Sequence, residues 1–172
     1  MVPAIIRRWL DKAHAQEETA RVLARLNANF SVWHDLRIGV MAGGQLAGID
    51  HIVVGHQGVV LVESIEEKDP IIVRNRRLTK GGESTWVELI RPRMLAASRI
   101  FPDVSAILLV FADAALVDPG HQRIDGFPVP AFAVGSSRLA DTLLNGLPGM
   151  AQVSRGRHGR LRDSAAGVAR FA

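Results

Sequence analysis

Residues 49–64 read IDHIVVGHQGVVLVES, and their pattern decides the fold. Two runs rich in β-branched residues, 49–54 and 59–63, flank Gly55-His56-Gln57-Gly58, a favourable hairpin connection. With His56 and Gln57 as the two loop residues, Gly55 faces Gly58, and counting outward sets Asp50 opposite Glu63. Directly opposed residues project from one face of a sheet with Cβ atoms about 5 Å apart. Two carboxylates placed this way repel unless a cation cancels their charge. Mg²⁺ or Mn²⁺ is the natural candidate, because such ions bind through one or two carboxylates plus waters and phosphate oxygens. The reading depends on register: a three- or four-residue loop makes the pair diagonal or sends the two acids to opposite faces. The competing reading is an exposed Asp and an exposed Glu on a solvated face.

Before this hairpin, residues 3–29 read as one or two helices, with Val22, Leu23 and Leu26 at helical spacing. Residues 30–38 (FSVWHDLRI) read as a strand, and 41–48 (MAGGQLAG) as a glycine-marked loop. After it, residues 71–74 continue as a short strand, and a polar segment leads to Trp86. Pro92 is expected to open a helix over 93–100. Residues 106–111 (AILLVF) and 129–134 read as strands, and 139–147 as a short helix ended by Gly146 and Pro148. The order is helix, three or four antiparallel strands, helix, strand, strand, helix. It predicts an α/β fold: a mixed central β-sheet flanked by helices.

The chain of 172 residues fits one domain, and 48% apolar content allows a real core. The absence of cysteine excludes disulfides and thiolate metal sites. The longest apolar run, residues 104–117, is interrupted by Asp113 and falls short of the ~18–20 residues a membrane helix needs. Arg7, Arg8, Asp11 and Lys12 stand where an export signal would be apolar, so a cytoplasmic protein without membrane association is expected. Residues 151–172 hold five arginines (Arg155, Arg157, Arg160, Arg162 and Arg170) against Asp163, which accounts for the whole net charge of +4. A neutral body, 1–150, followed by a basic tail, 151–172, suggests a polyanionic partner; a merely solvated tail is the plainer alternative. Arg74, Arg76, Arg77 and Lys80 form a second basic group, either a solvated turn or a phosphate contact. His51 points away from Asp50 and reads as a packing histidine.

The helix with Glu18, the segment WHDLRI, the glycine loop, IDHIVVGHQGVVLVES and an Arg-Pro before a helix together resemble the nuclease-related domain family. That family is a branch of the restriction-endonuclease-like PD-(D/E)XK fold. The resemblance covers roughly residues 14 to 145 and is specific over 49–64. It implies metal-dependent phosphodiester hydrolysis on DNA, with the family's acids falling on Asp50, Glu63 and Glu18, the last preceded by Glu17 where the family usually has glycine. It also exposes departures. The family's lysine, two residues after the Glu, falls on Ile65, which can neither donate a hydrogen bond nor carry charge. Arg91 and Leu95 replace an Asn and a Gln expected by the resemblance. Lys68 follows three residues after Ile65 and is a candidate substitute if the strand bends there.

Two functions follow. The first is a DNA-binding nuclease-like domain with metal at Asp50 and Glu63, catalytic groups Asp50, Glu63, Glu18 and Lys68, and DNA contacts at Arg74, Arg76, Arg77, Arg155, Arg157 and Arg160. Its hydrolysis is slow or absent unless Lys68 substitutes. The second is a non-enzymatic interaction or dimerisation module of a DNA-handling assembly, with a protein partner or a second copy.

Overall fold

A computed structural model of the chain describes residues 3–40, 46–81, 87–101, 103–150 and 155–169. Its elements are α1 (Ala4–Leu23), β1 (Ser31–Val40), β2 (Leu46–Gly55), β3 (Gly58–Ile65), β4 (Ile72–Arg74), β5 (Arg77–Thr79), α2 (Val87–Ile100), β6 (Val104–Phe111), β7 (Gln122–Ile124), β8 (Ala131–Gly135), α3 (Leu139–Asn145) and α4 (Arg155–Ala169). Six strands form one mixed sheet in the order β1-β2-β3-β6-β8-β7, and β4 with β5 forms a separate two-stranded ribbon. The fold is the expected α/β one, with antiparallel β1-β2-β3 joined to parallel β3-β6-β8.

The hairpin register is the one counted from the sequence. Gly55 pairs with Gly58 and His51 with Val62, which carries Asp50 to the place opposite Glu63. The positive φ of the connection falls on Gly58 (97°). Gly55 is required for a different reason: a Cβ there would come within 2.4 Å of the Phe30 ring.

Side chains alternate across β3 and so build two cores. Val59, Leu61 and Ile65 join Ile90, Met94 and Ala97 of α2 and Leu161 and Ala165 of α4 on one face. Val60 and Val62 join Leu23 of α1 and Leu139 and Leu143 of α3 on the other. All eight residues of β3 are buried, as expected for a strand covered on both sides.

Several boundaries differ from the sequence reading. α1 stops at Leu23, because Asn27 accepts hydrogen bonds from the backbone N–H groups of Asn29 (side chain, 3.0 Å) and Phe30 (carbonyl, 3.0 Å) and turns the chain. Residues 46–48 belong to β2 rather than to a loop, while 41–45 lie outside the described residues. α2 begins before Pro92, not after it. The proline forfeits only one helical N–H, and the buried stripe Ile90, Met94, Ala97 runs through it and holds both sides to the sheet. β5 pairs back on β4 through Asn75 and Arg76, both left-handed (φ 47° and 61°), a short turn not anticipated in the sequence reading. The end of the polar segment, 82–86, lies outside the described residues. Residues 155–169 of the basic tail form α4 against the sheet.

Candidate active site at the carboxyl end of β3

Asp50 and Glu63 lie on the α2 side of the sheet, 5% and 0% exposed. Their charge is met from two helices. α1 carries Lys12, Gln16, Thr19 and Leu23 at the spacing of one helical face; Thr19 and Leu23 are buried. The stripe is apolar where it meets the sheet's core and polar where it reaches the end of β3. Lys12 Nζ donates to Ser64 O (2.6 Å), Asp50 Oδ2 (2.7 Å) and Glu63 Oε1 (3.2 Å), which uses all three of its protons. Gln16 Nε2 donates to Asp50 Oδ1 (2.6 Å), and the Ser64 backbone N–H to Asp50 Oδ2 (2.8 Å). From α2, Arg93 reaches Glu63 Oε1 at 2.7 Å. Glu63 Oε2 is buried with no hydrogen-bond partner among the described residues.

The protonation states follow from this arrangement. Burial, then the neighbouring Asp50 charge, pushes the Glu63 carboxyl above its usual range, with Lys12 and Arg93 pulling it back. Burial alone would lower the Lys12 amine, but Glu63 and Asp50 outweigh it and hold the ammonium above its ordinary pKa. On the opposite face, burial lowers His51 to about 4 and keeps its ring neutral. His51 Nδ1 shares a hydrogen bond with His34 Nδ1 (2.7 Å), and its Nε2 lies 3.3 Å from Ser64 Oγ, which donates to Thr19 Oγ1 (3.0 Å). His51 thus ties β1, β3 and α1 together behind the acids.

Two adjoining clefts open beside the acids. A cleft of about 430 Å³ is lined by Ile5, Trp9, Lys12, Glu63, Ile90 and Arg93, among others. A smaller one of about 170 Å³ holds Glu18, His14, Lys68 and Ser136. Ile65 and Glu66 line both. Ile65, only 5% exposed, puts an apolar side chain beside Glu63.

The structure brings Asp50 and Glu63 together but places the other expected residues elsewhere. Glu18 faces away and accepts from Ser136 Oγ (2.8 Å). Lys68 is 72% exposed and pairs with Asp11 (2.8 Å), while Lys12 fills the space between the acids. Arg74, Arg76 and Arg77 sit on the β4–β5 ribbon and line neither cleft; Arg76 lies 4.0 Å from Asp125. Lys80 pairs with Asp69 (2.6 Å) and Glu67 (3.0 Å). Arg160 is exposed on α4; the side chains of Arg155 and Arg157 lie outside the described residues. Lys12, Gln16, Arg93 and the Ser64 carbonyl were missed as site groups. The signal for the first two was the polar stripe sharing a helix face with Leu23.

Among the described residues no cluster of three or more His, Cys, Asp or Glu is placed to hold a metal. The donor set here is smaller, two carboxylates and a carbonyl. These hard oxygens converge on one cationic point, and Glu63 Oε2 adds a free acceptor, a set that suits Mg²⁺ or Mn²⁺.

A mixed sheet flanked by helices, with an acid pair at the end of a β-hairpin, is consistent with a restriction-endonuclease-like domain. The chain belongs to the nuclease-related domain family, whose model matches residues 12–97. Divalent metals are in general use in that family. Comparison with curated proteins and with solved structures returned no match. Among the described residues no helix is long and apolar enough to cross a membrane.

Proposed function

We propose that this chain is a DNA-binding nuclease-like domain of the cytoplasm whose phosphodiester-hydrolysing site holds Mg²⁺ or Mn²⁺ but has lost catalytic power. The observation that carries this reading is the convergence of Asp50 Oδ2, Glu63 Oε1 and Ser64 O on a single cation. In hydrolysis a water oxygen bonds to phosphorus as the P–O ester bond breaks, leaving an alcohol and a phosphomonoester. A divalent ion bound at these oxygens would supply charge stabilisation and an activated water. Arg93 lines the same cleft at 28% side-chain exposure and offers a guanidinium to a phosphate. Trp9, 72% exposed, offers a ring face to a base. Arg74, Arg76, Arg77, Arg155, Arg157 and Arg160 would add phosphate contacts away from the chemistry. Ile65 leaves the reacting phosphate without an ammonium at the family's usual position, which is the reason for weak or absent turnover. Glu18 and Lys68 would act in such a scheme only from the neighbouring cleft.

Cleavage of plasmid and single-stranded DNA in Mn²⁺, comparing wild type with Glu63→Ala and Ile65→Lys, tests this reading. Slow wild-type cleavage abolished by Glu63→Ala supports it, as does silence in wild type with activity gained in Ile65→Lys. Silence in all three overturns it and favours an interaction module. One observation favours that second reading: Ile5, Ile6, Trp9 and Leu10 are all about half exposed or more at the start of α1, an apolar group suited to a protein partner or a second copy.

A further inference from the structure

We propose that Lys12 is a tethered competitor for the metal position: its ammonium and a divalent cation exclude one another at Asp50, Glu63 and the Ser64 carbonyl. The inference deepens the metal-site reading above and rests on it. Mg²⁺ and Mn²⁺ take oxygen ligands at about 2.1 Å. The Lys12 nitrogen already lies 2.6–3.2 Å from the same three oxygens, so an ion bound to them would overlap it. Two cations at that separation also repel strongly in a site this buried.

The helix is built so that Lys12 can leave. Residues 3–10 are exposed, and the first fully buried apolar anchor of α1 is Leu23. Near the site the helix is held by polar ties: Lys12 and Gln16 on the acids, Asp11 to Lys68 (2.8 Å), and Arg8 to Glu66 (3.8 Å). Such a segment opens at far lower cost than the core. Lifting it withdraws Lys12 from Asp50 Oδ2 and Glu63 Oε1 together, leaving the Ser64 N–H on the first and Arg93 on the second, and widens the cleft lined by Ile5, Trp9 and Arg93. Loading of the cation and admission of a polyanion through that cleft are then one movement.

The test is Mn²⁺ binding to the full chain, measured by calorimetry and by the paramagnetic resonance of free Mn²⁺. Lys12→Met should bind at least about tenfold more tightly than wild type, since one charge-assisted contact removed from the competitor is worth roughly that factor. Adding Asp50→Ala should remove the gain. Equal affinity in wild type and Lys12→Met, with both lost on Asp50→Ala, overturns the competition but leaves the metal site standing. No binding by either folded protein removes the metal reading itself, and the competition with it. Should Lys12→Met fail to fold, the wild type decides. The rate of Lys12 acylation, read by mass spectrometry, should rise on Mn²⁺ addition toward that of exposed Lys68. A flat rate overturns the proposal.

Discussion

Gln57 and Glu63 stand on the same β-hairpin, 4% and 0% exposed, and are treated in opposite ways. Gln57 is satisfied from α3 and the turn after it: its Nε2 donates to Leu143 O (2.6 Å), and its Oε1 accepts from Leu147 N (2.9 Å). Glu63 shares one oxygen between Lys12 and Arg93 and leaves the other without a hydrogen-bond partner among the described residues. Burial of a polar group is costly unless its hydrogen bonds are made. Where the chain completes them with backbone, the residue belongs to the architecture. Where it supplies side-chain cations from two helices and leaves an acceptor unpaired among the described residues, the residue is held for something else.

The sharpest way to break this contrast is Gln57→Ala. It strands two buried backbone groups and should cost about 4 kcal/mol in urea unfolding, at about 1–3 kcal/mol for each group. A loss under about 1 kcal/mol would return Gln57 to the same class as Glu63.

Acidification comes next. His51 has a folded pKa below its unfolded value, so the unfolded chain binds its proton first. Its contribution is full above pH 6.5 and falls away as pH drops toward about 4, a loss of about 3 kcal/mol relative to His51→Gln. Urea midpoints of both proteins from neutral pH to pH 4 measure it, and parallel pH curves would show that His51 is not buried neutral.

Glu63→Gln should change stability by less than about 1 kcal/mol at neutral pH, because loss of the ion pairs is offset by relief of a buried charge. The raised pKa has the opposite sign from His51: the cost of the Glu63 carboxylate is present at high pH and is relieved as pH falls through its folded pKa. A loss like that of Gln57→Ala would make Glu63 a structural residue. The smallest effect belongs to Lys68→Ala, about 0.5 kcal/mol or less, since its pair with Asp11 is exposed at the lysine. Cleavage by this variant should match wild type, and abolished cleavage would make Lys68 the substitute for the missing lysine.

The contrast also explains what could be read from sequence. The register that sets Asp50 against Glu63 needed only a two-residue loop and alternation, both local. The cations were not legible because they arrive over long separations, Lys12 from 51 residues before Glu63 and Arg93 from α2. Lys68 drew notice through nearness in sequence, yet its extended side chain pairs outward with Asp11. Glu18 lies on the wrong face of α1, because the stripe through Lys12, Gln16 and Thr19 fixes which residues face β3. Pro92 marked the start of a helix by local rules, and the packing of Ile90 carried the helix past it.

The same locality sets an order of events in folding. Joining β2 to β3 closes a two-residue loop, whereas seating Lys12 and Arg93 closes loops of tens of residues, and closure entropy grows with length. Asp50 and Glu63 therefore meet before either cation arrives, and the nascent hairpin carries an unbalanced pair of charges. Added salt should speed refolding more than it slows unfolding, and a stopped-flow series in rising salt would show whether it does. The acids that equip the finished domain for chemistry are thus a burden on the chain while it is being made.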